Sequence, residues 1–218
     1  MASQVINLRD AQMYDSDVAL FTEFTWLNDN AIHFYFEYIH QFVCNASSRV
    51  LFVDPAVVSC LLLQCDEDEE LMEMICGWNL HEKELCVFPV NDRKSSDEYG
   101  THWSLIVFHK NENQWEHYDS SEPSNQAAAI RAYGMLQRVF QLSMDTYDTT
   151  NCELTQRPCR QQENNYDCGM HVLLVAEYLS KKHFGCVDCS LQEYVNPERI
   201  RDTRLGIPSL IKRLRSDG

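Results

Sequence analysis

The chain contains few basic residues. Lysine and arginine together number 18 in 218 residues, against 33 aspartates and glutamates, so the formal net charge is −15. A protein that binds a nucleic-acid backbone needs a basic surface, so this deficit argues against nucleic acid as a partner. The acid excess instead favours a basic or arginine-bearing partner, although the same excess can serve solubility alone.

Long apolar segments are also missing. No apolar run reaches the roughly 20 residues that span a bilayer, and residues 1–10 lack the basic and apolar regions of a signal peptide. We therefore expect no membrane partner, a location in the cytoplasm or nucleus, and ten cysteines kept as free thiols. The sequence shows no repeat or linker, so residues 1–218 are expected to form a single domain.

The cysteine pattern offers a weak candidate for a metal site. Cys186 and Cys189 are separated by two residues, and His183 precedes them. A structural zinc site needs about four ligands at paired spacings, and Cys152 and Cys159 are too far apart to complete one. We therefore expect neither a metal nor a cofactor, and we interpret the segment as a turn.

Apolar periodicity and turn residues predict a mixture of strands and helices. Strands are expected at 50–53, 85–90, 102–109 and 114–119, and residues 1–25 are expected to be extended. Helices are expected after Asn28 or Asp29, from Asp54-Pro55 to residue 64, within 66–77, at 125–141 and at 168–179. Residues 151–165 are expected to be irregular, and residues 207–215 form a basic, amphipathic segment. This order predicts an α+β fold in which helices flank a central sheet containing a hairpin.

The residue types of a thiol protease occur in the order His, Asp, Cys. Cys168 opens an apolar helix, where the positive end of the helix dipole would stabilise a thiolate. His102 begins a predicted strand and Asp119 ends the next one, so antiparallel pairing would bring them together at one edge of the sheet. Asp119 could then fix the imidazole tautomer. A buried structural thiol and a turn aspartate are the competing interpretations.

Gln162, six residues before Cys168, is the candidate donor to an oxyanion. A loop of that length can fold back over the thiol, so that the Gln162 amide and the backbone N–H of Cys168 face one oxygen. Gln161 is the alternative. Gly169 has no Cβ and is expected to let a substrate carbonyl approach closely.

Four motifs in this order resemble the sentrin-specific protease family, which cleaves ubiquitin-like modifiers. The resemblance covers about residues 20–185 and implies a papain-like cysteine protease core in permuted order, with a central mixed or antiparallel sheet. It assigns His102, Asp119 and Cys168 to a catalytic triad and Gln162 to the oxyanion hole. It also implies isopeptidase and C-terminal processing activity after a terminal Gly-Gly. The motifs are Trp26-Leu27-Asn28-Asp29, Gly100-Thr101-His102-Trp103-Ser104-Leu105, Tyr118-Asp119-Ser120, and Gln162 with Cys168-Gly169.

Within that family, the compact chain and its first two motifs are most similar to the deneddylase branch. The resemblance then implies a monomer that acts on the neddylation modifier and its conjugates, such as cullin-like targets. Trp26 and Trp103 would form the walls of a narrow tunnel for the Gly-Gly end, and Asp29 would pair with an arginine just before it. Core packing is the competing interpretation of both tryptophans.

Three other functions stay open. A SUMO protease tends to present basic residues to an acidic modifier, and a net charge of −15 weighs against that. An acetyltransferase of the same fold would need a basic polyphosphate pocket, and the basic cluster here is confined to 199–215. A non-catalytic modifier-binding module is the third, and a complete triad argues against it.

Overall fold

A five-stranded mixed sheet forms the centre of the computed structural model, which describes residues 3–22, 24–144, 146–148 and 152–216. The strands are β1 (Gln4–Leu8), β2 (Ala11–Tyr14), β3 (Val50–Phe52), β4 (Leu85–Asn91), β5 (Trp103–His109), β6 (Gln114–Tyr118) and β7 (Leu154–Gln156). The sheet has the order β3-β4-β5-β6-β7, with antiparallel pairs at its centre and a parallel pair at each edge. Strands β1 and β2 form a separate antiparallel pair.

Eight α-helices in the described residues surround the sheet. They are α1 (Asp15–Thr22), α2 (Asp29–Tyr38), α3 (Pro55–Leu63), α4 (Asp68–Met74), α5 (Gln126–Ser143), α6 (Cys168–His183), α7 (Leu191–Tyr194) and α8 (Pro197–Ser216). A π-helical turn, Ile39–Val43, continues α2, and a 3₁₀ turn, Leu80–Glu82, precedes β4. None of the helices in the described ranges is long and apolar enough to cross a bilayer.

The two faces of the sheet carry separate apolar cores. Along β4, Leu85 and Val87 contribute to one core, while Cys86, Phe88 and Val90 contribute to the other, as the alternation of side chains along a strand requires. Helices α2, α6 and α8 cover the first face, and α3, α4 and α5 cover the second. The predicted α+β fold with helices flanking a central sheet is confirmed.

Local sequence explains the helix starts that precede the site. The side chain of Asn28 accepts the N–H of Ala31 at 3.0 Å, and Asp54 accepts that of Ala56 at 2.7 Å with Pro55 in the first turn. Both caps satisfy donors that a helix leaves unpaired at its start. The predicted starts of α2 and α3 are therefore confirmed.

Three segments differ from the prediction. In the part of the predicted extended arm that the structure describes, residues 3–22 form a hairpin and a helix. Strand β7 lies inside the segment 151–165, for which the sequence predicts irregular structure. Strand β7 has only three residues and depends on its parallel pairing with β6, which no local pattern reveals. Helix α8 begins at Pro197 and continues through Pro208, although prolines usually mark helix ends.

Candidate active site

The hairpin of β5 and β6 brings His102 and Asp119 together. His102 immediately precedes β5, Asp119 immediately follows β6, and antiparallel pairing places Leu105 opposite Tyr118. The Nε2 atom of His102 lies 2.6 Å from Oδ1 of Asp119. Both side chains are buried. The two residues therefore form a hydrogen-bonded pair at one edge of the sheet.

Backbone donors hold the Asp119 carboxylate in place. Its Oδ1 also accepts the N–H of Ser121 at 2.9 Å, and its Oδ2 accepts the N–H of Asn125 at 2.9 Å. Burial favours the neutral acid, but the hydrogen bonds from His102, Asn125 and Ser121 outweigh it and lower the pKa of Asp119. The carboxylate is therefore charged and fixed in orientation.

His102 is supported from the loop that precedes it. The carboxylate of Asp92 accepts the backbone N–H groups of Thr101 at 2.6 Å and His102 at 3.1 Å. Burial opposes the imidazolium, but hydrogen bonds with Asp119 and Cys168, together with their charges, raise the pKa of His102 to about 9. Because Nε2 is bonded to Asp119, Nδ1 is the nitrogen left for Cys168.

Cys168 is the first residue of α6 and is buried. At the first position of a helix, its backbone N–H has no partner within the helix and points toward the N-terminal end. The following residue has a packing role that the sequence did not indicate. A Cβ on Gly169 would lie 2.9 Å from Cβ of Leu27, so this glycine allows α6 to pack against the 26–28 segment.

The two neighbouring glutamines have different contacts. Gln161 Nε2 donates to the carbonyl oxygens of Asp119 at 3.0 Å and Cys159 at 3.3 Å, which uses both of its hydrogens. Gln162 Nε2 donates to the carbonyl oxygen of Asn164 at 2.6 Å, and the Gln162 Oε1 accepts the hydroxyl of Ser120 at 2.8 Å. An amide NH₂ has two hydrogens. These contacts favour Gln162 over Gln161 as the oxyanion donor, because the Gln162 amide uses only one of its two hydrogens.

A groove of about 680 Å³ lies between the 26–30 segment and the loop before β5, and Trp26 and Trp103 both line it. Trp26 is 47% exposed and donates its indole N–H to the carbonyl oxygen of Asn165. Trp103 is 4% exposed and donates to the carbonyl oxygen of Leu27 at 2.9 Å. The structure therefore places both tryptophans on one groove, although Trp103 also belongs to the core.

Asp29 lines the same groove but already has a cationic partner. Arg93 Nη2 lies 2.8 Å from Oδ1 and 3.2 Å from Oδ2 of Asp29. Burial raises the pKa of Asp29, and the charge of Arg93 only partly opposes that shift. An arginine of a bound chain would therefore have to share this carboxylate with Arg93 or displace it.

The cysteine-rich segment holds no cluster of metal ligands within the residues described. All ten cysteines are free thiols, and Cys186 and Cys189 are exposed. Across the described ranges, the only group of three close ligand side chains is Asp10, His33 and Glu37. Arg9 Nε lies 3.8 Å from Oε2 of Glu37, so a cation of the protein itself already stands beside this group.

Sequence reasoning missed the residues that support the pair. Asp92 precedes His102 by ten positions, and nothing in its surroundings distinguishes it from other loop aspartates. The sequence predicts a helix start at Asn125, and the structure shows that its side chain also donates to Val90 O at 3.0 Å and Ser104 Oγ at 2.7 Å. Such contacts follow from the way the strands pack, and local spacing carries no signal for them.

Comparison with known proteins identifies related chains. Residues 25–185 match the model of the Ulp1 protease family, C-terminal catalytic domain. The chain is 30% identical to sentrin-specific protease 8 of Homo sapiens over 92% of this chain and 92% of that protein. It is 27% identical to NEDD8-specific protease 1 of Arabidopsis thaliana over 98% of this chain and 95% of that protein.

Solved structures show the same fold. The C-terminal Ulp1 protease domain in complex with Smt3, the yeast ortholog of SUMO, aligns with a TM-score of 0.73 at 18% identity. That alignment covers 97% of this chain and 87% of the other. The expected cysteine protease fold is therefore confirmed.

Proposed function

The chain belongs to the Ulp1 protease family, and from that premise we propose that it cleaves the bond after the C-terminal Gly-Gly of the ubiquitin-like modifier NEDD8. The observation that carries the proposal is the buried, hydrogen-bonded pair of His102 and Asp119, whose imidazole interacts with the Cys168 thiol at the start of α6. The relatives named for sentrin and NEDD8 support the choice of modifier, because they match nearly the whole chain.

The proposed reaction has two stages. His102 takes the proton of the Cys168 thiol, and the thiolate attacks the carbonyl carbon of the terminal glycine. The Cys168 N–H and the Gln162 amide stabilise the oxyanion. The imidazolium then gives its proton to the leaving amine, which is a target lysine or a tail peptide. Water hydrolyses the thioester, releasing the modifier's carboxylate and restoring the thiol.

The groove supplies the specificity in this proposal. Trp26 and Trp103 line the groove, and we assign them to a narrow passage that would lead Gly-Gly to Cys168 and exclude residues whose Cβ would clash. Asp29, together with Arg93, is assigned to the residue that precedes Gly-Gly. A net charge of −15 suits a modifier surface that presents arginine.

Further parts of the proposal concern the protein as a whole. We extend it to a single protease domain that acts as a monomer in the cytoplasm or nucleus. It would process the precursor of the modifier and remove the modifier from conjugates such as cullin-like targets. SUMO is the second modifier to test, because SUMO proteases share the fold.

Electrophilic modifier probes test the proposal directly. NEDD8, SUMO and ubiquitin, each with a thiol-trapping group in place of the terminal carboxylate, are incubated separately with the protein, and adducts are mapped by mass spectrometry. We expect an adduct on Cys168 with the NEDD8 probe. A SUMO-selective adduct would keep the mechanism and change the modifier, and the absence of any adduct would contradict the proposal.

Two cysteine variants complete that experiment. Cys168→Ala removes the proposed nucleophile, so adduct formation and turnover should both be lost while binding of the modifier persists. Cys186→Ala removes an exposed thiol at a distance from the site and should behave as wild type. Turnover that survives in Cys168→Ala would show that another group carries the chemistry.

A further inference from the structure

The C-terminal helix α8 contributes one buried cation, although it lies outside the residues 25–185 that match the family model. The Arg204 side chain is 1% exposed. A buried guanidinium is tolerated only where its charge and its N–H groups are matched by partners. The identity of those partners therefore indicates what Arg204 holds in place.

On one side, Arg204 binds the two residues that directly precede the proposed nucleophile. Its Nε and Nη2 atoms each lie 2.8 Å from Oδ1 of Asp167. Nη2 also donates to the carbonyl oxygen of Tyr166 at 3.2 Å. Because Cys168 follows Asp167 and begins α6, the guanidinium fixes the backbone at the point where the chain enters that helix.

On the other side, Arg204 binds the segment that leads to the groove. Nη1 donates to the carbonyl oxygens of Leu20 at 2.9 Å and Thr25 at 3.2 Å. Thr25 directly precedes Trp26, which lines the groove. One side chain therefore joins the entry of the nucleophile helix to the start of the groove wall.

All three nitrogens of the Arg204 guanidinium have acceptors. A guanidinium has five N–H donors in a planar fork, and here four of them make hydrogen bonds while Nη2 also forms the ion pair with Asp167. The rings of Tyr166 and Phe24 lie 5.5 Å and 6.0 Å from its Cζ atom. A lysine has three donors on a flexible stem and cannot bridge both segments in this way.

We propose that Arg204 is a positioning residue, which sets where the thiol and backbone N–H of Cys168 lie relative to His102 and the groove. It acts through Asp167 and Tyr166 on one side and through Leu20 and Thr25 on the other. This inference rests on the proposed function, because it takes Cys168 as the nucleophile. Without the hydrogen bonds of Arg204, the residues before α6 can move. A displacement of a reacting group by about 1 Å can lower the rate on the order of 10²-fold.

Steady-state kinetics with a NEDD8 fusion test the proposal. Each variant is assayed well below its own unfolding temperature. Arg204→Met should lower kcat by roughly 10- to 100-fold with a much smaller change in KM. Arg204→Lys should keep the charge and the fold but recover only part of kcat. Arg201→Met, an exposed arginine one turn earlier on α8, should match wild type.

A second measurement separates this inference from the proposed function. Alkylation of Cys168 by iodoacetamide, followed by mass spectrometry across pH, reports the thiol's surroundings without any modifier. The rate–pH profile should change in the Arg204 variants and stay unchanged in Arg201→Met. If wild type cleaves no modifier but the profile still changes with Arg204, the proposed function fails and the positioning role stands.

The opposite result would overturn the inference. If folded Arg204→Met keeps both the wild-type kcat and the wild-type alkylation profile, Arg204 only anchors α8. If Arg204→Met does not fold, Asp167→Asn replaces it, since this change removes the charge but keeps the shape and one oxygen acceptor. Unchanged kcat and alkylation in folded Asp167→Asn would equally overturn it.

Discussion

The two halves of the candidate active site are held in place by contacts of different range. His102 and Asp119 are 17 positions apart and belong to one β-hairpin. The helix start that carries Cys168 is held instead by Arg204, which is 37 positions from Asp167 and 184 positions from Leu20. One half is thus assembled by a local turn, and the other only when the C-terminal helix docks on the N-terminal segment.

The electrostatics also differ between the hairpin half, which holds His102 and Asp119, and the helix half, which holds the start of α6. In the hairpin half, hydrogen bonds with Asp119 and Cys168 outweigh burial and raise the pKa of His102 to about 9. In the helix half, burial lowers the pKa of His171 to about 4, and the charge of Asp167 opposes that shift without overcoming it. Changes in the hairpin should therefore act directly on the groups that transfer the proton, whereas changes in the helix should act through the position of Cys168.

The largest expected effect comes from breaking the hairpin half with Asp119→Asn. An amide in place of the carboxylate removes the charge that orients His102 and favours the wrong imidazole tautomer. We expect kcat/KM to fall by about 10³-fold or more. The pKa of His102, measured by NMR, should also fall from about 9, because a hydrogen bond that raises it is weakened.

Glu116→Gln is the matched control for that prediction. Glu116 is a buried carboxylate on β6, the strand that ends just before Asp119, and its partners are His109 at 3.0 Å, Tyr118 and Arg157. None of its hydrogen bonds or ion pairs is with His102 or Asp119, so the variant should lose stability but keep its kcat/KM. A similar loss of turnover in both variants would mean that disruption of the hairpin, rather than the chemistry of Asp119, explains the result.

The difference in range also explains how much could be predicted from the sequence. His102 and Asp119 could be placed together because strand alternation and a short turn fix the register of a hairpin. Cys168 could be placed at a helix start because polar residues give way to an apolar run. The sheet order, β7 and the full length of α8 could not, since they depend on contacts between distant segments.

Arg204 illustrates the limit of sequence reasoning most clearly. In the sequence it belongs to the basic cluster at 199–215, where it resembles its exposed neighbours. Only the docking of α8 buries it against Leu20, Thr25 and the residues before Cys168. In the same way, the motif around Trp26 indicated Asp29, but its ion pair with Arg93 appears only in the folded chain.

A smaller effect is expected where the nucleophile helix packs on the groove segment. In Gly169→Ala the new Cβ meets Leu27 Cβ at 2.9 Å, so α6 or the 26–28 segment must shift. In Gly134→Ala, also within a helix, the new Cβ meets nothing within 4 Å. Overpacking costs about 1–3 kcal/mol, whereas an unstrained Gly→Ala change in a helix gains up to about 1 kcal/mol.

Chemical unfolding and kinetics together measure that difference. Gly169→Ala should be less stable than Gly134→Ala by an amount on the order of the overpacking cost, and it should also lower kcat, whereas Gly134→Ala should not. Equal stabilities and equal turnover would show that the 26–28 segment yields freely. The helix half would then tolerate displacement better than the contacts of Gly169 indicate.

The smallest effect on turnover is expected from His171→Phe, which sharpens the electrostatic contrast. The folded pKa of His171, about 4, lies below its unfolded value, so its stabilising contribution is complete above pH 6.5 and is lost as the pH falls toward 4. That loss is on the order of 2–3 kcal/mol. Because Nδ1 of His171 is buried with no hydrogen-bond partner, an apolar ring should be tolerated at neutral pH.

Unfolding free energies measured between pH 7.5 and 4.5 should therefore decline less steeply in His171→Phe than in wild type. An equally steep decline would assign the acid sensitivity to other groups, such as Asp119. The contrast between the raised pKa of His102 and the lowered pKa of His171 would then have no effect on stability.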